Sequence, residues 1–364
     1  MAEPSAHEQP WSADGFRADI QATLDRFIDE QATTLSPLGD DAAILVEAGR
    51  EAVSGGKRFR AAFCYWGYRA VAQPSDRPGD HTALIRAAAS LELLHASALV
   101  HDDVMDASDT RRGRPATHRA FERRHRDAGW RGDAEQYGVA AAILLGDLLL
   151  SFADQLLRTC GLPHERVRDA LGYFDTTRAE VIAGQFLDVS VQARGQGDVE
   201  QAMRVLRYKS AKYSVERPLH IGAALAGASP AVISALSEYG LPLGEAFQLR
   251  DDLLGVFGDP IVTGKPAGDD LVEGKRTVLV ALTLDAAPPA DAALLDTSLG
   301  TRLSADQVDV LRGVIGASGA AAEVEQRIES LTADALAALG RADMTEAARS
   351  VLADLAHAAT QRTV

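Results

Sequence analysis

Sixteen residues of the chain, VHDDVMDASDTRRGRP (100–115), hold four aspartates and three arginines. On a helix Asp102 and Asp106 stack one turn apart, with Asp103 about 100° round from them. Like charges at this spacing destabilise a helix by a few tenths of a kcal/mol, and the C-terminal end of a helix dipole disfavours anions further. A cation relieves both, and Mg2+ suits hard oxygen ligands, binding one or two carboxylates together with waters and substrate phosphates. A solvated acidic face explains one such cluster standing alone. A second pair, Asp251 and Asp252 in FQLRDDLLGVFGD (247–259), follows another apolar run far downstream. Two acidic walls facing one cavity account for both.

Carboxylates alone hold metal; a diphosphate also needs cations. Arg111 and Arg112 follow the first cluster, and Gly113 frees the backbone at the turn. SGGKRFR supplies Lys57, Arg58 and Arg60 behind two glycines, without the GxxxxGK[ST] spacing of a Walker loop. KSAKY supplies Lys209 and Lys212, and TGKPAGDDLVEGKRT supplies Lys265 and Lys275. A single basic group is ordinarily a solvated surface charge; it is their recurrence beside glycines and acidic clusters that points to a diphosphate. His95 lies seven, eight and eleven residues before the three aspartates, on their face of the helix, and is read as a wall of the same polar cavity. On this reading the aspartates of 100–115 await metal and its arginines await diphosphate, rather than pairing mainly with each other. No Ser–His–Asp or Cys–His constellation for covalent catalysis is evident.

The elements that must position these groups read as helices. ADIQATLDRFIDEQATTL carries Ile20, Leu24, Phe27 and Ile28 on one stripe. Helical patterns also run over 82–105, 138–160, 165–191, 198–226, 230–257, 305–317 and 319–340, while β-branched alternation is almost absent. Punctuation at 73–80, 193–198, 258–270 and 285–291 leaves connections short enough for antiparallel packing. The expectation is one all-α domain over 14–364, a large bundle of antiparallel helices, with residues 1–13 disordered and 123–136 a polar surface loop. A net charge of −15 argues against nucleic acid or an anionic membrane as the partner. The two cysteines, Cys64 and Cys160, form no CxxC pair, and the N-terminus lacks a signal-peptide pattern. The longest apolar run, VAAAILLG, falls short of the roughly 20 residues of a membrane span. The expected setting is the cytoplasm, with no stable membrane insertion.

Taken together, DDVMD with RRG, FQLRDD, GGKRFR, GQFLD, KSAKY and TGK…GDDLVEGK resemble the signatures of the trans-isoprenyl diphosphate synthases, the polyprenyl synthetase family, across residues 40 to 280. The resemblance implies an isoprenoid synthase fold around a deep central cavity, as a homodimer, with three magnesium ions per active site. It implies that Asp102, Asp103 and Asp106 ligate magnesium bridging to an allylic diphosphate. Asp251 would bind a further ion from the opposite wall, supported by Asp252. Arg111, Lys209 and Lys265 would contact the allylic diphosphate, and Lys57, Arg60, His95 and Arg112 that of isopentenyl diphosphate. Gln185, Ser210, Phe247 and Gln248 would line the reacting centre, and Lys275 would close the mouth.

Departures from the family pattern are Gly255 where a third aspartate is common, Ala61 where proline is usual, and the non-basic tail QRTV. Asp259 is not expected to substitute at the Gly255 position. The implied reaction is head-to-tail condensation of isopentenyl diphosphate with an allylic diphosphate. Small Ser97 and Ala98 before the first motif favour geranylgeranyl diphosphate, the C20 product, with farnesyl or longer polyprenyl products as alternatives. A class I terpene cyclase shares DDxxD but carries an Asn/Ser/Glu triad in place of the second DD. A His–Asp phosphohydrolase and a non-catalytic synthase subunit are the remaining rivals.

Overall fold

The computed structural model describes residues 11–71, 79–195, 197–259 and 268–361. Ser12 caps the first helix, α1 (Ala13–Leu35), by accepting from the backbone of Gly15. It is followed by α2 (Asp40–Ala52), α3 (Phe59–Val71) and α4 (Asp80–Met105), then a hairpin of β1 (Thr110–Arg111) and β2 (Arg114–Pro115). Next come α5 (Thr117–Asp127), α6 (Ala134–Arg158), α7 (His164–Arg194) and α8 (Val199–Val205). A π-helix (Leu206–Glu216) runs directly into α9 (Arg217–Ala226), and α10 spans Pro230–Phe257. Beyond lie α11 (Asp269–Glu273), α12 (Val278–Ala286), α13 (Pro289–Ser298), α14 (Ala305–Ser318), α15 (Ala320–Arg341) and α16 (Glu346–Thr360). The all-α expectation stands.

Capping chemistry sets several boundaries. Ser229 accepts from Val232 with Pro230 at the first helical position, which starts α10 where its apolar pattern starts. Ser304 and Gln307 form a reciprocal capping box at α14. Three expectations are corrected. α5 runs through Asp127 and α6 begins at Ala134, so much of the 123–136 surface loop is helical. The reason is local packing: Trp130 and Tyr137 stack edge-on around His125 and close the turn between the helices. Of the N-terminal stretch expected to be disordered, residues 1–10 lie outside the described residues. Trp11, however, packs against Phe16, Tyr65 and Trp66. The single helix read over 198–226 is three segments, the middle one widened to π geometry.

Two apolar cores hold the bundle. The larger joins α1, α3, α4, α6, α7 and α9 to the first half of α10 through Leu236, Tyr239, Leu243 and Phe247. The smaller gathers α8, α12, α14 and α15 around Leu249, Leu253 and Val256 from the second half of α10. α10 therefore belongs to both cores, and the cavity opens between them. By length and composition α4 and α6 could each cross a membrane, which a count of consecutive apolar residues does not reveal. The apolar window of α4 is 78% buried in the fold, whereas that of α6 is only 39% buried. The uncovered face carries Leu144 (61% exposed), whereas the exposed Ile182 (59%) and Phe186 (73%) of α7 line the cavity.

Candidate active site

The cavity has a volume of about 1080 Å3 and draws its lining from residues 56–60, α4, α6, α7, the π-helix, α10 and residues 269–278. Its polar end is built where four separate segments converge. Arg112 and Gly113 both have positive φ, the two-residue turn that a tight hairpin requires, and they carry Arg111 back over the end of α4. Arg112 then donates to the backbone oxygen of Ser54 (2.9 Å) and lies over Gly56, which joins the first and second basic segments. Arg58 builds this turn and lines the cavity as a held charge, not a loose one. It is buried, with its guanidinium 3.2 Å from Glu92, and it donates to the oxygens of Val53 and Gln21.

Asp102 faces the cavity. Gln185 donates to it (2.9 Å), Lys209 lies 3.2 Å away and Arg111 3.7 Å away. Burial would raise its pKa, but Lys209, Lys275 and Arg111 overcome that and hold the carboxyl well below the usual range. Asp106 sits one turn on with its side chain buried. Burial, then the charge of Asp102, pushes it up to about 6, against the pull of Lys275 at 3.4 Å. Its Oδ2 has no hydrogen-bond partner.

Asp103 does not join this pair. It is 2% exposed, lies, like Asp106, outside the cavity lining, and accepts from Nε of Arg111 (2.8 Å) and from its terminal nitrogen. A single step along α4 turns its side chain about 100° away from Asp102. The expected separation of aspartates from arginines is corrected here, since Asp103 and Arg111 are paired.

The opposite wall comes from α10. Asp251 lines the cavity, and Asp252, buried behind it, accepts from Gln248 (2.9 Å). Burial, with Asp270 and Asp251 adding to it, pushes Asp252 up to about 8 against that hydrogen bond. Lys275 lies between the walls, 3.3 Å from Asp270 and paired also with Glu273 and Asp106. Asp259 is exposed at the end of α10, away from the cavity.

The second basic group gathers around Tyr213. Arg60 stacks over its ring (4.3 Å) and donates to Ser214 (2.7 Å), while the Tyr213 hydroxyl lies 2.8 Å from Nδ1 of His95. Burial, with Arg60 and Arg112 close by, holds His95 well below its usual range, so the imidazole is neutral. Lys57, Ser97, Ala98, Ser210 and Phe247 also line the cavity, while Lys265 lies outside the described residues.

The π-helix decides which lysine of KSAKY enters. Its wider turn directs Lys209 to Asp102 and Asp188, and Lys212 to Glu180 on the outer side (2.8 Å). Gly184 of α7 makes room for it: a Cβ there would lie 2.5 Å from the backbone nitrogen of Lys209. Residues absent from the sequence-derived set are Asp188, which accepts from Lys209 (2.6 Å), Tyr213 and Asp270. Asp188 stands three residues after Gln185 on one helix face, a spacing that could have found it.

Among the described residues no three carboxylate, histidine or cysteine groups converge tightly enough to cage an ion unaided. That suits Mg2+ bound by one or two carboxylates and completed by water and substrate oxygens. The buried Oδ2 of Asp106, which accepts no hydrogen bond and has only the Lys275 ammonium 3.4 Å away, is a position such an ion fits.

A helical bundle with acidic walls and two basic groups around one cavity defines an enzyme of diphosphate chemistry. The chain belongs to the polyprenyl synthetase family, whose model matches residues 42–314. The geranylgeranyl diphosphate synthase of Mycobacterium tuberculosis is 36% identical over 272 residues, 74% of this chain and 71% of that protein. A geranylfarnesyl diphosphate synthase of Natronomonas pharaonis is 38% identical over 202 residues, 56% of this chain and 54% of that protein, about half its length. The geranylgeranyl pyrophosphate synthase of Corynebacterium glutamicum, solved in complex with isoprenyl diphosphate and magnesium, superposes with a TM-score of 0.94. It is 42% identical and covers 97% of this chain and 100% of that one. The protein is accordingly a trans-prenyltransferase of the isoprenyl diphosphate synthase kind.

Proposed function

We propose that the protein condenses isopentenyl diphosphate with allylic diphosphates in the presence of magnesium, and that its product is geranylgeranyl diphosphate. The observation that carries this is the join between the charged end of the cavity and an apolar continuation lined by Leu94, Ser97, Ala98, Leu150, Val181 and Ile182. Asp102 and Asp106 on one wall and Asp251 on the other hold the metal, with Asp252 behind Asp251. Magnesium, when bound, stabilises the negative charge that builds on the leaving diphosphate. Arg111, fixed by Asp103, and Lys209, fixed by Asp188, contact the allylic diphosphate, as does Lys265. Lys57, Arg60 and Arg112 hold the diphosphate of isopentenyl diphosphate, and neutral His95 contributes a hydrogen bond there rather than a charge.

Gln185, Ser210, Phe247 and Gln248 line the reacting carbons, and the apolar walls keep water from the allylic cation. Ser97 and Ala98 leave the wall beneath Asp102 unobstructed, which supports a C20 product over farnesyl diphosphate. The apolar face that α6 leaves uncovered, with Leu144, supports a homodimer with that face buried. The buried thiols of Cys64 and Cys160, unpaired, suit the reducing cytoplasm. The test is incubation with magnesium, labelled isopentenyl diphosphate and each allylic primer, followed by sizing of the products. Accumulation of the C20 diphosphate is expected; no elongation from any primer would refute the assignment.

A further inference from the structure

The π-helix (Leu206–Glu216) is gripped by a side chain that does not line the cavity. At its end the backbone N–H of Arg217 donates to the oxygen of Lys212, five residues back, where an α-helix would use Tyr213. That bond sets Lys212 and Arg217 one above the other, and both reach Glu180 of α7. Lys212 donates to one oxygen of the carboxylate (2.8 Å), and Arg217 forks across both (2.8 Å each). Arg217 is braced in turn by Nδ1 of His220 (3.2 Å), whose Nε2 lies 2.9 Å from Ser237 of α10. Burial would raise the pKa of Glu180, but Arg217 and Lys212 outweigh it, so the carboxylate carries its charge.

An α register would offer Lys212 another partner. Glu216 stands four residues on, the spacing at which side chains of an α-helix meet. Its Oε2 is instead 3.8 Å from the Lys212 ammonium, buried, and accepts no hydrogen bond. Glu180 therefore takes the lysine from the residue that α geometry favours. The cavity side of the same helix serves both basic groups of the site. Lys209 reaches Asp102 and Asp188, while Tyr213 carries Arg60 on its ring and meets His95, and Ser214 accepts from Arg60. A return to α register would turn Lys209 and Tyr213 relative to one another.

We propose that Glu180 is a positioning residue for the condensation: by holding Lys212 and Arg217 together it fixes the π register, and so aligns the allylic and isopentenyl diphosphate subsites on one helix. The inference rests on the roles given to Lys209, Arg60 and His95 under Proposed function. Glu180 touches no substrate and acts only through the outer face of the helix.

The test is steady-state condensation by the full-length protein with magnesium, the KM of isopentenyl diphosphate and of an allylic primer each measured at saturation of the other. Glu180→Gln should raise both KM values by about ten-fold, because one helix serves both subsites. Asp188→Asn, which frees Lys209 alone, should raise only that of the allylic primer. Glu216→Gln removes the competing carboxylate and should leave both values within about two-fold of wild type. A protein that is only less stable would lose kcat with its folded fraction and keep both KM values. Lys212→Met, which leaves Arg217 on Glu180, should raise both by about three-fold and carries the test if Glu180→Gln does not fold. Lys212→Arg, which keeps the donor, should restore them. Unchanged KM values in Glu180→Gln or Lys212→Met, a rise confined to one substrate, or an equal rise in Glu216→Gln would overturn the inference while leaving the synthase reading intact. A wild-type protein that elongates no primer would overturn both.

Discussion

Replacing Gly184 by alanine isolates the contact that sets Lys209 in place. The added methyl would lie 2.5 Å from the nitrogen of Lys209 and 2.6 Å from the carbonyl carbon of Tyr208, both backbone atoms that no rotamer change can move. Overpacking of this kind costs about 1–3 kcal/mol. Alanine in place of glycine within a helix returns about 1 kcal/mol, so the net loss of stability is about 0–2 kcal/mol. The larger effect is on turnover. Relief of the clash requires the π-helix to shift by a substantial fraction of an ångström, and Lys209 moves with it, away from Asp102 and Asp188. A misplacement near 1 Å costs up to about 100-fold in rate, so kcat/KM should fall by about 10–100-fold.

The control lies on the same helix. A Cβ on Gly172 meets nothing within 4 Å, so Gly172→Ala should stabilise the protein by up to about 1 kcal/mol and leave turnover unchanged. Thermal unfolding and incorporation of labelled isopentenyl diphosphate read the two effects. Wild-type turnover in Gly184→Ala would refute the claim that this contact positions Lys209.

Asp102→Ala should lower turnover by on the order of 10³-fold with the far-ultraviolet dichroism unchanged, because it removes the carboxylate proposed to hold metal and leaves Lys209 and Arg111 with Asp188 and Asp103 alone. Ala98→Phe, which projects a ring into the apolar continuation of the cavity, should shift the products towards farnesyl diphosphate on chromatographic sizing. His220 is buried against Arg217 and Ser237, and burial, then Arg217 and Lys212, lowers it from 6.5 to about 4. The unfolded chain therefore takes up the proton first, so stability falls as pH drops from 6.5 towards 4. About 2 kcal/mol should be lost between pH 7 and pH 5. Urea midpoints at the two pH values should move less in His220→Gln; an unchanged difference would refute the assignment.

The long helices were legible because their caps and periodicity agree. α10 begins at Ser229–Pro230 and ends at Gly258, and the sequence alone places both ends. α3 was not, because FRAAFCYWGYRAV is apolar or aromatic on nearly every face and carries no stripe. The π-helix is invisible to any test that assumes 3.6 residues per turn, and so was the divergence of Lys209 from Lys212. Within the site, Asp102, Asp251, Arg60 and Lys275 could be picked out by type and spacing. The pairing of Asp103 with Arg111 depends on a hairpin two residues wide, and the placement of Asp270 on the position of its volume in space rather than its place in the chain.

The cations between the walls carry a last consequence. Lys209, Lys275 and Arg111 already face Asp102, Asp188, Asp103, Asp106 and Asp270, so each of these cations is engaged by carboxylates before anything enters, with acidic charge in excess. A lone metal ion would have to push those cations aside, and a lone diphosphate would meet the aspartates. On the proposed roles, arrival of both would let each side of the site change partner at once, the carboxylates holding metal and the cations phosphate. Binding of either component should therefore strengthen the other by the same factor, as reciprocity demands. On those roles the paired charges would act as a coincidence detector, admitting the metal–diphosphate complex in preference to either of its parts.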